Sequence, residues 1–410
     1  MKLTQQIKID VTPYQENVLL DLSEKCRLIY NFALTERKEA FEKGIFIKYN
    51  EQQNNLPELK KKYPEYVWVY SKVLQGVLKK LDADYKSFFA LHKKDKTSKP
   101  PRYKSKKFFT TMNYNQSGFR VEKGMIYLSH KHKSKVKLEF IIPDKFEFSK
   151  IYQIEIYRKD KMYWLSVVYE SKEKEFIDNG LFQSFDLGII KHTAVNMDGK
   201  FINLKIQRPD RYWEESLIEL QSKRDHCKKY SNKWNHYNKL YCKIRRKSSN
   251  QMKDLLHKAS RKIVDNTKAN TIIVGDLYPK KMCKINKHQK GLHKSLHNTG
   301  LISRFVSFLT YKSKLIGKRV VENNEYKSSI RCCCCGTEKK MPLEIRIYDC
   351  DNCGNKIDRD ENSSINIMLD YLSQNGLWMS FQQFVDNLRK TGLTIVRYSK
   401  EAMLNRSVSL

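Results

Sequence analysis

Cys332, Cys335, Cys350 and Cys353 form two C-x2-C pairs, and the acidic run Asp358-Arg359-Asp360-Glu361-Asn362 follows directly behind them. Two such pairs, about 14 residues apart, have the spacing of a zinc ribbon, in which each tight knuckle aims two thiolates at one tetrahedral ion. Cys333 and Cys334 lie inside the first pair and lack ligand spacing. A second candidate centre pairs Asp360, at the head of the last helix, with Asp186, which ends the buried-looking strand Phe182 to Phe185. Residues just past strand ends gather at one edge of a sheet, so the two acids can meet there. Oxygen ligands with open positions suit Mg2+ or Mn2+, and two such ions activate water and stabilise the leaving oxygen of a phosphodiester. Asp198, beside Gly199, reads as a turn residue.

Carboxylates alone would repel the partner that the rest of the composition demands. The 410 residues carry 79 Lys and Arg against 45 Asp and Glu, a formal net charge of +34. That balance calls for a polyanion, with nucleic acid first, and 24 Tyr and 19 Phe offer faces for base stacking. No apolar run approaches the roughly 18 residues of a membrane span, and Met1 to Asp10 lacks the apolar core of a signal peptide. The expectation is a soluble, cytoplasmic protein with no membrane partner. Cys26, Cys227, Cys242 and Cys283 are scattered, as reduced thiols are.

The elements that must position these groups follow from periodicity. Lys2 to Asp10 alternates as a strand, and Thr12-Pro13-Tyr14-Gln15 predicts a capped helix start. Leu22, Cys26, Ile29 and Ala33 continue that helix, and Val77, Leu81, Tyr85 and Phe88 mark a second one. Glu51 to Glu65 between them is polar and reads as a loop. Lys93 to Lys107 sets eight basic residues around Pro100-Pro101, an extended phosphate track in which Arg102, Tyr103 and Lys104 are candidate nucleic-acid contacts. Short alternating runs from Phe108 to Glu170 predict a small β-barrel that includes the leading strand, with the helices inserted into it.

Phe182 to Phe185, Thr193 to Asn196, Phe201 to Leu204, Thr271 to Val274 and Arg319 to Asn323 predict a mixed sheet. Arg208 to Ala269 reads as long and helical, with apolar stripes at Trp213, Leu217 and Leu220 and at Leu255, Ala259 and Ile263. Leu301 to Ile316 is a further helix, and Asn362 to Leu372 a closing one. Pro279 to Asn298 reads as a basic loop, in which His293 and His297 lack the intervening Glu of a metalloprotease. Gln374 to Leu410 is a tail with some helical pattern around Phe381 and Phe384, and its end reads as loosely held.

In this order SFDLGI, IIVGDL, YKSS-x2-C-x2-CG, C-x2-CG and DRDENSSINI resemble the TnpB family, the OrfB-type proteins of insertion sequences related to type V CRISPR effectors. The resemblance implies an α+β multidomain protein: a wedge-like barrel (1–12 and 100–180) with a helical recognition domain (13–99), then a RuvC, RNase H-like α/β domain (181–330 and 355–372). A zinc ribbon (331–354) is inserted and a tail (373–410) follows. It implies an RNA-guided DNA endonuclease whose partners are a guide RNA and double-stranded DNA, with base pairing reading sequence and the protein reading a short flank. Asp186 and Asp360 match catalytic carboxylates, and the four cysteines match zinc ligands. Oligomeric state is left open.

One position departs from the pattern. Gly275 stands where the family has Glu, and glycine cannot hold a metal. Either the carboxylate has moved, with Glu325 the first candidate and Glu322 or Asp276 behind it, or the chain is a guided DNA-binding repressor that does not cut. A strand-transferring transposase is a third reading, for which no Tyr or Ser nucleophile motif is evident.

Overall fold

The computed structural model describes residues 1–276, 300–342 and 344–396, in two compact units, Met1–Lys172 and Glu173–Leu410. The expected basic loop with His293 and His297 lies outside the described residues, as does Cys283. Among the described residues no helix is long and apolar enough to cross a membrane.

In the first unit β1 (Lys2–Ile9) leads into α1 (Pro13–Glu42). Thr12 caps α1 as its sequence predicts: its hydroxyl accepts from the Gln15 N–H at 3.3 Å, and its own N–H donates to Gln15 Oε1 at 3.1 Å. The loop expected over Glu51 to Glu65 is instead α2 (Tyr49–Asn54), α3 (Leu56–Lys62) and a 3-10 turn. Buried Gln52 accounts for part of the difference, accepting from Arg37 at 2.8 Å and donating to the Ala33 carbonyl at 2.9 Å, and Leu56 and Leu59 add apolar contacts to the core. α4 (Ser71–His92) buries Val73, Leu74, Val77, Leu78 and Leu81 against α1.

The expected barrel does not close. β1, β2 (Met112–Asn115), β6 (Ile151–Lys159) and β7 (Met162–Glu170) form one antiparallel sheet in the order β1-β7-β6-β2. β3 (Phe119–Glu122), β4 (Met125–Leu128) and β5 (Leu138–Ile141) form a separate one. The chain leaves the first ladder in the 3-10 turn Gln116–Gly118, so the next strands pair only with each other. Ile7, Leu22, Leu78, Tyr114, Ile126 and Ile156 belong to one core shared by helices and sheets.

The second unit is a five-stranded sheet between helical layers. β8 (Phe182–Leu187), β9 (Lys191–Asn196), β10 (Phe201–Lys205), β11 (Thr271–Gly275) and β12 (Arg319–Asn323) run in the order β10-β9-β8-β11-β12. β8, β11 and β12 are parallel, and β9 is antiparallel to β8. Between β10 and β11 the single long helix breaks into α5 (Pro209–Tyr212), α6 (Glu214–Asp225) and α7 (Asn232–Asn266). α6 buries no residue fully, so Trp213, Leu217 and Leu220 do not mark a core face. Of the late stripe Ile263 is buried and Ala259 packs against the core as expected, while Leu256 and not Leu255 is the buried leucine, beside Met252 and Ser260.

α7 and α8 (Leu301–Leu315) cover one sheet face, where Leu256, Phe305 and Leu309 meet Phe185 and Val274. β13 (Ile347–Asp349) and β14 (Lys356–Asp358) form a hairpin that runs into α9 (Arg359–Gln374) and α10 (Trp378–Lys390). These two helices cover the other face, with Ile365, Leu369 and Phe384 against Phe182 and Ile273. The helical pattern expected around Phe381 and Phe384 is this helix over 378–390. Phe381, Phe384, Val385 and Leu388 recur at helical spacing and bury there.

His192 on β9 is 1% exposed, its ring centroid 4.3 Å from that of Phe305, and burial pulls its pKa down to about 4. The unfolded chain takes up the proton first, so the contribution of His192 to stability is full above about pH 6.5 and is lost as pH drops toward 4. His192→Phe is expected to retain about 2.5 kcal/mol that the parent loses between pH 7 and about 4.5, measured by urea unfolding at both values. Equal acid sensitivity in the two proteins refutes it.

Candidate metal centres

The two cysteine knuckles repeat one backbone design. Gly336 N–H donates to the Cys332 carbonyl at 3.0 Å and Gly354 N–H to the Cys350 carbonyl at 2.9 Å, each glycine with positive φ (81° and 69°). Cys332 N–H to Thr337 and Cys350 N–H to Asn355, both 2.9 Å, complete the turns. The four sulfurs all lie within 4.8 Å of one another, at 3.7 Å for Cys332–Cys353 and 3.5 Å for Cys335–Cys350. Thiolates about 2.3 Å from a tetrahedral zinc stand about 3.8 Å apart, so the donor set fits that ion. Cys333 and Cys334 are buried outside the foursome, and the Cys333 N–H donates to Asn362 Oδ1 at 2.8 Å. The purified protein is expected to carry about one zinc per chain and Cys350→Ser none, read by elemental analysis. Stoichiometric zinc in the variant counts against the assignment.

The carboxylates gather at the carboxyl end of the parallel strands. Phe185 pairs with Val274 and Gly275 with Asn323, so Asp186, Gly275 and Asn323 stand side by side. α9 crosses this edge and is fixed by Ser184 Oγ donating to the Ser364 carbonyl at 2.7 Å and by the Ser328–Ser363 hydroxyl pair at 2.8 Å. α9 begins at Arg359, earlier than the expected Asn362, because Asp358 caps it by accepting from the Asp360 and Glu361 N–H groups. Asp360 therefore sits in the first turn and faces Asp186. Burial and then the Asp360 charge raise the pKa of Asp186 to about 7, despite a hydrogen bond from Ser363.

Glu325 lies two residues past β12, where the chain turns back with Ser328 N–H donating to its carbonyl at 3.0 Å. Its N–H donates to Asp276 Oδ1 at 3.1 Å. Burial, then Asp186, then Asp276 raise its pKa to about 8. Its carboxylate fills the space in front of Gly275. A Cβ built on that glycine would overlap Glu325 Oε2 and stand 3.1 Å from Cδ and 3.2 Å from Cβ. Glu322 is exposed, and Asp276 serves as the acceptor that orients the Glu325 backbone.

Several participants were not visible in the sequence. Lys191 on β9 reaches Asp358 at 3.0 Å and Asp360 at 3.3 Å, and Arg346 pairs with Asp360 from the hairpin side. Asn362 and Asn366 both donate to the Arg331 carbonyl, at 2.8 and 2.7 Å, which ties the first knuckle to α9. The spacing of the two asparagines, one helical turn apart in DRDENSSIN, was the available signal. In the other unit Arg102 and Tyr103 are exposed, while Lys104 turns inward, its ammonium 3.8 Å from the centre of the Tyr30 ring.

Three family models match in chain order: a helix-turn-helix domain of the OrfB IS605 type over 1–45, a probable transposase of the OrfB IS605 type over 166–286, and a Cas12f1-like TNB domain over 303–367. Three TnpB-like proteins of Acanthamoeba polyphaga mimivirus, L79, L770 and R854, are 35% identical over 127 residues. Segments of the chain thus resemble OrfB-type and TnpB-like proteins.

The match to these viral proteins covers 31% of this chain and about a quarter (24%) of each of theirs. The cryo-EM structure of a Cas12f1–sgRNA–target DNA complex contains a chain of similar fold, with a TM-score of 0.55 at 15% identity, covering 87% of this chain and 83% of that one. Asp186 and Gly275 fall within the transposase-type match at 166–286, and Glu325, the four cysteines and Asp360 within the Cas12f1-like match at 303–367. The segment matched as a helix-turn-helix is here β1 followed by the single 30-residue helix α1.

Proposed function

We propose that this TnpB-like chain is an RNA-guided DNA endonuclease. On this reading a guide RNA pairs with one strand of double-stranded DNA beside a short flanking motif, and Asp186, Asp360 and Glu325 hold Mg2+ or Mn2+ for phosphodiester hydrolysis. Zinc at the four cysteines is structural. The observation that carries the reading is the placement of Glu325: its carboxylate stands in front of Gly275, where the family's own Glu would project. When bound, the ions would supply charge stabilisation and an activated water.

The protein's own groups do the rest. Asp186, the most enclosed of the three, anchors the centre, and Ser363 orients it. Lys191 and Arg346 fix Asp360 from two sides, and Asp276 fixes the Glu325 backbone. Arg102 and Tyr103, exposed on the basic segment, contact nucleic acid in this proposal, and Lys104 braces them against α1. Purified with its accompanying RNA, the protein is expected to cut a randomised-flank DNA library beside one fixed motif when Mg2+ is present, and Asp186→Ala to bind without cutting. Guided binding by the parent with no cut products would overturn the nuclease reading in favour of a repressor.

A further inference from the structure

A cavity of about 600 Å³ opens on the α7 side of the second unit's sheet, at the start of β8 and away from the carboxylates. Strand alternation places Gln183, Phe185 and Leu187 on that side, whereas Ser184 and Asp186 face α9. Gln183 is 3% exposed, lines the cavity, and its Oε1 is buried without a hydrogen-bond partner. An orphaned buried acceptor costs about 1–3 kcal/mol, which a ligand N–H would recover. Phe185, Leu204 and Ile263 form apolar walls around it. Lys200, Lys262 and Lys268 stand exposed at the mouth, where the one carboxylate lining the cavity, Asp198, already accepts from Asn196 Nδ2 at 3.2 Å.

We propose that this cavity takes a single nucleotide whose base carries an exocyclic amine, adenine foremost. The flat base would lie between the apolar walls, its amine would donate to Gln183 Oε1, and its phosphate would meet the lysines. Gln is the side chain that pairs adenine through the amine edge, and the volume lies within the range of sites for ligands of this size. The nucleotide is either free or one residue of a bound strand turned out of its stack. The proposal does not rest on the cleavage reading, because binding needs no divalent ion.

The test uses the full chain, cleared of nucleic acid by high salt, with no magnesium added. AMP is titrated calorimetrically against ribose 5-phosphate, which has the phosphate and no base. AMP is expected to bind at least about tenfold more tightly, and Gln183→Leu to remove that advantage. Gln183→Leu is also expected to melt no lower than the parent, since it replaces an unsatisfied polar group with an apolar one of similar size. Lys262→Glu, on the exposed mouth, is expected to weaken AMP severalfold in low salt only. A ten-residue oligoadenylate separates the two sources: it displaces AMP if the occupant belongs to a strand and leaves it bound if only free nucleotide enters. Equal affinity for AMP and ribose 5-phosphate, or unchanged AMP affinity in Gln183→Leu, overturns the proposal.

Discussion

Gly275→Ala is expected to lower guided cleavage about as far as Glu325→Gln does, roughly a thousandfold, with guided DNA binding and the melting temperature little changed. The thousandfold figure is the several kcal/mol that a correctly held metal contributes to the transition state. A single methyl group reaches the same loss through geometry. The new Cβ would overlap Glu325 Oε2, and the cheapest relief is to swing the far end of that side chain away. Such a movement costs the fold little and displaces one carboxylate by more than the distance a reacting centre tolerates. Glu325 and a side chain at 275 are thus alternatives for one volume.

Gly275→Glu alone is therefore expected to be inactive, and Gly275→Glu combined with Glu325→Gly to regain at least tenfold of the lost rate. Cleavage rates under single-turnover conditions, with binding followed separately, check all four proteins. Full activity in Gly275→Ala would show that the Glu325 carboxylate is not needed where it stands.

Local chemistry was legible in the sequence, and the closure of the chain upon itself was not. The cysteine pairs declare themselves because a knuckle is a four-residue event with its glycine beside it, and the capping box at Thr12 is equally local. The acids could be named one by one. Their meeting depends on the parallel register that sets Gly275 level with Asp186, and on a turn after β12 that no periodicity encodes. Lys191 and Arg346 escaped notice because a lone basic residue in so basic a chain carries no signal. The open sheets escaped for a related reason: alternation tells which residues face a core and is silent on whether the last strand returns to the first. In the 51–65 segment buried amide pairing supplemented a sparse apolar pair, Leu56 and Leu59, that periodicity does not reveal, whereas at α10 the pattern at Phe381 and Phe384 was legible.

Without added magnesium, Asp186→Asn is expected to be more stable than the parent at pH 8 by about 4 kcal/mol and to match it near pH 4. The carboxyl of Asp186 titrates near 7 in the folded protein against 3.8 in the unfolded chain. Between those values the folded state holds the extra proton, so stability falls as pH rises, opposite to the usual behaviour of a salt-bridged acid. Glu325, raised to about 8, pushes the same way, and since the two acids repel each other their contributions overlap and do not add in full. His192 acts in the opposite sense, losing stability as pH falls from about 6.5 toward 4, so it offsets the Asp186 effect across that window and leaves the loss above about pH 6.5 uncompensated. Magnesium should reverse the alkaline loss by binding only the folded, ionised carboxylates. Thermal unfolding at pH 5 and pH 8, with and without magnesium, separates the terms: the ion should raise the parent's melting temperature chiefly at pH 8 and leave Asp186→Asn nearly unmoved. A parent as stable as Asp186→Asn at pH 8 without the ion would mean that the acids stand too far apart, or too well solvated, to repel. On the nuclease reading, keeping so costly a cluster at neutral pH trades stability for a site that a divalent cation would complete.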